Sequence, residues 1–171
     1  MALEQPKFIL EKVVDGVEIR RYEPYQLAQC TFENLEDLRA ASNAGFRYLF
    51  NYISGENQQS QKISMTVPVQ QVPSKSGWSI SFVVPSSFAE GAVPTPSNSR
   101  VEIVTNPGGL VAALRYRGLW GSTSFNEQSK KLLSILKKHN LKTKGEVFSA
   151  VYNPPLTPPF LRRNEVLVRL A

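Results

Sequence analysis

The chain has 171 residues, 42% of them hydrophobic and 20% charged, with a formal net charge of +6. That length and balance fit one compact domain, which at this size buries about 70% of the surface of its unfolded chain. No run of about 18 apolar residues is present, so no membrane-spanning helix is expected, and the single Cys30 excludes an internal disulfide.

Alternation and β-branched enrichment predict strands over 8–14, 17–22 and 25–32, with Asp15-Gly16 as a hairpin turn between the first two. Cys30 falls inside the third run and is expected to pack. A helix follows over 36–53, with Asn34 as N-cap, Phe46, Leu49, Phe50 and Ile53 on its buried face, and Gly55 beyond its last turn. Strands over 63–72 and 78–84 complete a first half, about 1–85. The segment 85–99, with Pro94, Pro96 and several serines, reads as a mobile connector or as a lid.

The second half, about 100–171, repeats the order. Strands are expected over 101–105 and 110–117 around the turn Pro107-Gly108-Gly109. A helix over 125–139 has Ser124 and Glu127 as a capping box and a buried stripe of Phe125, Leu132 and Leu136. Strands over 147–152 and 165–170 close the chain. The expected fold class is α+β: a distorted antiparallel β-barrel of two pseudo-symmetric halves, each with one long α-helix packed outside, in a single domain over 1–171.

Charge divides unevenly between the halves. Residues 1–85 hold 8 Lys/Arg against 9 Asp/Glu, whereas residues 86–171 hold 12 against 5. Six lysines, Lys130, Lys131, Lys137, Lys138, Lys142 and Lys144, lie on or after the second helix. They read as a solvated face or an anion-attracting patch, with too few interleaved aromatics for single-strand nucleic-acid stacking. No nucleic-acid partner is expected. The N-terminal residues are charged where a secretory leader needs an apolar core, so a cytoplasmic, unprocessed protein is expected, and because closed halves leave no long apolar edge, a monomer.

No paired Cys-x-x-Cys, His-Glu-x-x-His, Gly-x-Ser-x-Gly or phosphate-cradling loop occurs, and His139 is the only histidine. The chain therefore reads as a non-enzyme. Arg20-Arg21 and Arg162-Arg163 are basic pairs beside strands, and strand geometry lets one arginine of each face inward. That arginine either pairs with Glu23 or Glu165 or awaits an anion. Met65 reads as core filler or as an iron ligand. Pro68 marks an edge or bulge. Tyr152 precedes a loop stiffened by Pro154, Pro155, Pro158 and Pro159, and it either fastens that loop or faces a pre-formed apolar cleft.

Three segments, Glu18-Ile19-Arg20-Arg21-Tyr22-Glu23-Pro24-Tyr25, Lys62-Ile63-Ser64-Met65-Thr66-Val67-Pro68-Val69 and Tyr152 through Val166, occur in the order in which the SOUL/heme-binding family carries them. The chain resembles that family over nearly its whole length. The resemblance implies non-covalent binding of heme or metal-free porphyrin, without catalysis, in a shallow apolar cleft between the first helix and the loop before the last strand. Carried onto this chain, the cleft would comprise Asn43, Phe46, Arg47, Phe50 and Asn51 from the helix and Tyr152, Leu156, Thr157 and Arg162 from the loop. Phe46 and Phe50 would wall the macrocycle, and Arg47 and Arg162 would face its propionates. No histidine falls in these segments, so iron ligation would come from Tyr152, Met65 or nothing. The expected role is a promiscuous tetrapyrrole carrier or buffer of modest affinity. The alternatives are a non-catalytic interaction module and a small-molecule effector-binding domain.

Overall fold

Nine strands and two helices form in the expected order, in a computed structural model that describes residues 3–89, 91–153 and 157–171. The first half supplies β1 (Phe8–Val14), β2 (Val17–Tyr22), β3 (Tyr25–Phe32), α1 (Leu38–Ile53), β4 (Val69–Pro73) and β5 (Trp78–Val83). Then come β6 (Glu102–Asn106), β7 (Gly109–Tyr116), α2 (Ser122–Lys138), β8 (Thr143–Val151), a 3-10 turn at Pro159–Leu161 and β9 (Asn164–Leu170). Asp15 and Gly16 both take positive φ, 47° and 81°, as a two-residue hairpin with this twist requires.

The strands make one antiparallel sheet in the order β1-β2-β7-β9-β8-β4-β5-β3-β6. The run β4-β5-β3-β6 repeats in β8-β9-β7-β2, and the two runs meet where β4 pairs with β8 through Val69–Val151, Gln70–Ala150 and Gln71–Ser149. A pseudo-twofold is thus visible in the pairing, but not between the expected halves: β6 joins the first run and β2 the second, so each run takes one strand from the other half. Closure is not visible: among the described residues no ladder joins β1 to β6. The sheet nevertheless curls strongly. β9 and β6 lie five strand spacings apart through β8, about 24 Å if flat, yet Arg169 on β9 donates to the Asn106 side chain of β6 at 2.6 Å and to the Gly108 carbonyl at 2.7 Å.

Leaving the sheet open also leaves β1 with a bare outer edge, on which Ile9, Leu10 and Val13 are exposed. The expectation of a monomer assumed that no apolar edge existed. A register shift between Leu10 and Lys12, together with the charges of Glu11 and Lys12, breaks the regularity that strand addition needs.

Both helices cover one face of the sheet. α1 packs on β3 and β5 around Leu49, Tyr52, Ile53, Ile80 and Phe82, and α2 packs on β7 and β9 around Leu132, Leu136, Ala112 and Val166. On the opposite face Tyr22, Val111, Ala113, Ala150 and Leu167 form a smaller cluster with Phe148 and Tyr152 against it.

Local boundaries depart from expectation for identifiable reasons. α1 is capped by Asp37, whose carboxylate accepts from the Ala40 amide at 3.0 Å, whereas Asn34 sits at φ 59° in the preceding turn. α2 starts at Ser122 after Gly121, so Ser124 lies inside the helix and donates to the Leu119 carbonyl; the capping box does not form. The strand expected over 63–72 is ladder-paired only from Val69. Pro68 lacks an amide proton, and upstream of it Thr66 donates to the Val83 carbonyl while the Val67 amide donates to Glu4. The connector 85–99 is pinned rather than loose at its far end: the Tyr52 hydroxyl donates to the Pro94 carbonyl at 2.6 Å, and the Gln58 amide donates to the Thr95 carbonyl at 2.8 Å.

Candidate functional site

The faces of α1 are set by what the helix can press against the sheet. Leu38, Ala41, Ser42, Gly45, Leu49, Tyr52 and Ile53 are buried. A Cβ on Gly45 would lie 2.6 Å from the Ile80 Cβ, so the absent side chain lets the helix lie flush on β5. Phe46 and Phe50, expected on that buried face with Leu49 and Ile53, are turned away from it and stand 38% and 50% exposed. At spacings of three, four and seven residues they share the outer face with Asn43, Arg47 and Asn51, all exposed.

The two rings stack, with centroids 6.2 Å apart and planes 22° from parallel. Beside them lies Met65, 37% exposed, and together with Leu49, Ile53, Val69 and Phe82 they line an apolar recess of only about 10 Å³. This is an open platform, not a cavity. Arg47 takes part in no ion pair among the described residues. Val69 of the platform pairs with Val151, but the next residue, Tyr152, packs with Tyr22 and Leu167 on the opposite face of the sheet, so Tyr152 does not join Phe46 and Phe50 as expected.

In the loop between β8 and β9, Leu156 lies outside the described residues. Thr157 is half-buried, and its carbonyl accepts from the Arg162 side chain at 2.7 Å, which folds Arg162 back over its own loop. Phe160 and Leu161 are exposed. The base of the loop is fastened by the Tyr152 amide donating to the Arg163 carbonyl at 3.2 Å and by the Arg163 amide donating to the Asn153 side chain.

The inward-facing arginine expected at 20–21 is Arg20, 1% exposed, and its partner is the fully buried Glu165. The contact is bidentate, at 2.9 and 2.6 Å. Arg21 points outward to Glu11 instead. Around Glu165 gather the Arg163 guanidinium at 3.2 Å and the Tyr152 hydroxyl, which donates at 2.7 Å. The Arg163 guanidinium also lies 3.9 Å above the Tyr152 ring. Burial pushes the Glu165 carboxyl up, but Arg20 first, then Tyr152 and Arg163, hold it below the ordinary carboxylate range. Burial and the Glu165 charge push the Tyr152 phenol well above its ordinary value. The tyrosine is therefore a neutral donor that ties the loop base to the sheet. Periodicity does not reveal this four-residue knot, because it joins β2 to residues more than 130 positions away.

The basic second half resolves into exposed lysines along α2 and β8. His139 contacts Asp15 at 2.8 Å, and Lys138 reaches the same carboxylate at 3.3 Å. The hydrogen bond from His139, then Lys138, holds the Asp15 carboxyl below its ordinary value. These contacts seat the end of α2 on the β1–β2 hairpin. Among the described residues no cluster of His, Cys, Asp and Glu could hold a metal ion, and no helix is long and apolar enough to cross a membrane.

A family model for the SOUL heme-binding protein matches residues 3–169. The chain is 31% identical to Heme-binding protein 2 of Mus musculus over 181 residues, which covers 96% of this chain and 85% of the mouse protein. Among solved structures, the EcmrR C-terminal domain superposes with a TM-score of 0.70 at 7% identity, over 91% of this chain and 96% of that one. A hydrolase from Listeria innocua superposes with a TM-score of 0.61 at 10% identity, over 94% of each chain. At such identities the structural likeness shows a shared α+β fold and nothing about activity.

Proposed function

The chain belongs to the SOUL heme-binding protein family, and from that premise we propose that it binds heme or metal-free porphyrin without covalent attachment on the outer face of α1, as a cytoplasmic carrier or buffer without catalysis. The observation that carries the proposal is the stacked pair Phe46 and Phe50 beside Met65, an apolar platform that is 38%, 50% and 37% exposed among the described residues.

The residues present fit a flat amphiphilic ligand. Phe46 and Phe50 receive the apolar face, Arg47 and Arg162 supply positive charge for the propionates, and Asn43, Asn51 and Thr157 offer neutral hydrogen bonds. Heme iron, when bound, would contribute its axial bonding. Tyr152 is poorly placed to complete that bond, because ligation needs a phenolate and its phenol is held neutral against Glu165. Among the described residues Met65 is the thioether at the platform. Binding is accordingly dominated by apolar contact, and metal-free porphyrin is accepted nearly as well as heme. Covering the exposed parts of both rings removes roughly 180 Å² from water, if a whole phenylalanine buries about 200 Å². At about 25 cal/mol per Å² this contributes about 4 kcal/mol before the costs of association, which supports modest affinity.

The test is an absorbance titration with hemin and, separately, with protoporphyrin, on the wild type and on Phe46→Ala and Phe50→Ala. Saturable shifts with both ligands are expected, each variant weakening them about tenfold, since each loses roughly 1.5–2 kcal/mol of apolar contact. Absence of a saturable shift with either ligand would sink the proposal and leave a non-catalytic interaction module or effector-binding domain on the same fold.

A further inference from the structure

The curled sheet has a second open surface, on the face away from both helices. Val69 and Phe82 pair toward α1, so the next pair along the ladder, Gln70 and Ser81, points the other way. There, six strands from β9 round to β6 enclose a cup of about 290 Å³, at the lower end of the range for small-ligand pockets and too small for a tetrapyrrole. Deeper in, the sheet is filled by the Tyr22 and Leu167 cluster, which leaves only about 10 Å³. The cup is the unfilled mouth of the curl.

Its lining is chemically specific. The Arg169 guanidinium is half-buried there, fixed by the Gly108 carbonyl and the Asn106 side chain, and no carboxylate lies within 4 Å of it among the described residues. A cation removed from water normally has an anionic partner. The Ser81 hydroxyl and the Gln29 carboxamide make no hydrogen bond among the described residues, although Ser81 is buried. Phe148 forms one wall. The charged groups at the rim are Lys144 and Glu146, so with Arg169 the cup carries one net positive charge.

We propose that this cup is a second ligand site, for a small planar carboxylate. The carboxylate supplies the missing partner of Arg169, the flat body lies between the Phe148 ring and the floor of the sheet, and Ser81 and Gln29 hydrogen-bond its polar edge. The site is independent of the α1 platform, which lies on the opposite face.

The probe is benzoate, followed by amide NMR on the full chain, with benzamide as the neutral isostere. Saturable shifts at the amides of Gln29, Ser81 and Phe148 are expected with benzoate in the millimolar range, and benzamide should bind at least tenfold more weakly. Arg169→Gln should reduce benzoate to the benzamide level while hemin titration is unchanged. Gln29→Phe, which fills the cup without breaking a hydrogen bond, should abolish the shifts and stands in if Arg169→Gln fails to fold. Equal binding of the two probes, shifts located elsewhere, benzoate binding unaffected by Gln29→Phe, or no saturable shift would each overturn the proposal.

Discussion

Replacing Glu165 with glutamine keeps the shape of the side chain and removes its charge. In the native protein the carboxylate is wholly buried and receives Arg20 through two hydrogen bonds, Arg163 at 3.2 Å and the Tyr152 hydroxyl at 2.7 Å. The amide can accept with one oxygen only, and its NH₂ then faces a guanidinium that has donors alone to offer. Arg20, 1% exposed, is left as an uncompensated buried cation apart from its contact with the partly exposed Glu18. Breaking one side of a buried pair costs about 3–5 kcal/mol. For a domain of this size that lowers the melting temperature by roughly 6–20 °C, at about 2–4 °C per kcal/mol. Urea unfolding followed by circular dichroism measures it, with an unchanged m-value showing that the native state is otherwise intact. Removing both charges in Arg20→Met/Glu165→Leu should recover part of the loss, because the charge that remains beside the knot, Arg163, is partly exposed whereas Arg20 and Glu165 are fully buried. A Glu165→Gln variant within about 1 kcal/mol of wild type, or a double variant as unstable as the two single losses combined, would refute the argument that the knot is held by charge.

Acid should expose the same group. Because the folded Glu165 carboxyl titrates below its unfolded value of about 4.5, the stability it contributes is present above that value and is lost as pH falls through the folded value. The acid limb of a stability–pH profile should therefore be shallower in Glu165→Gln than in wild type, and parallel limbs would contradict the pairing. Tyr152→Phe removes a hydrogen bond to a buried carboxylate and should cost about 1.5–3 kcal/mol while leaving the hemin spectrum unchanged; a lost or shifted Soret band in that variant would make the phenol an iron ligand after all. Gly45→Ala gains about 1 kcal/mol of helix propensity but places a methyl 2.6 Å from the Ile80 Cβ. Overpacking at about 1–3 kcal/mol should prevail, so a net loss of stability is expected by thermal melt, and a stabilised variant would show that α1 can lift from β5. Phe46→Ala and Phe50→Ala also remove the buried part of each ring, which is 38% and 50% exposed, and should cost about 1.5–3 kcal/mol of stability; a thermal melt of each variant, folded at the titration temperature, separates the effect on ligand from the effect on folding.

The local pattern of the chain determined the elements, because alternation, the Asp15-Gly16 turn and the Phe125, Leu132, Leu136 stripe are short-range signals that act before any tertiary contact forms. The repeated order of strands, helix and strands likewise made the two halves legible, and three ordered motifs were specific enough to identify the family. What alternation cannot say is which neighbour a strand takes. The junction of β4 with β8, the curl that brings Arg169 to Asn106, and the cup this leaves were decided only by pairing at long sequence distance.

The same distinction divides the candidate sites. The family resemblance grouped Asn43, Phe46, Arg47, Phe50 and Asn51, while helical spacing put the two phenylalanines in the core, since a 3.6-residue period leaves Leu49 and Phe50 only about 100° apart. The close approach of Gly45 to Ile80 decided otherwise, by fixing which stripe of α1 meets the sheet. Tyr152 and Glu165 are both evident in the sequence as residues of note. That one donates to the other, and that the pair is sealed by Arg20 from the far end of the chain, follows from β2, β7 and β9 lying side by side, an arrangement only the folded sheet supplies.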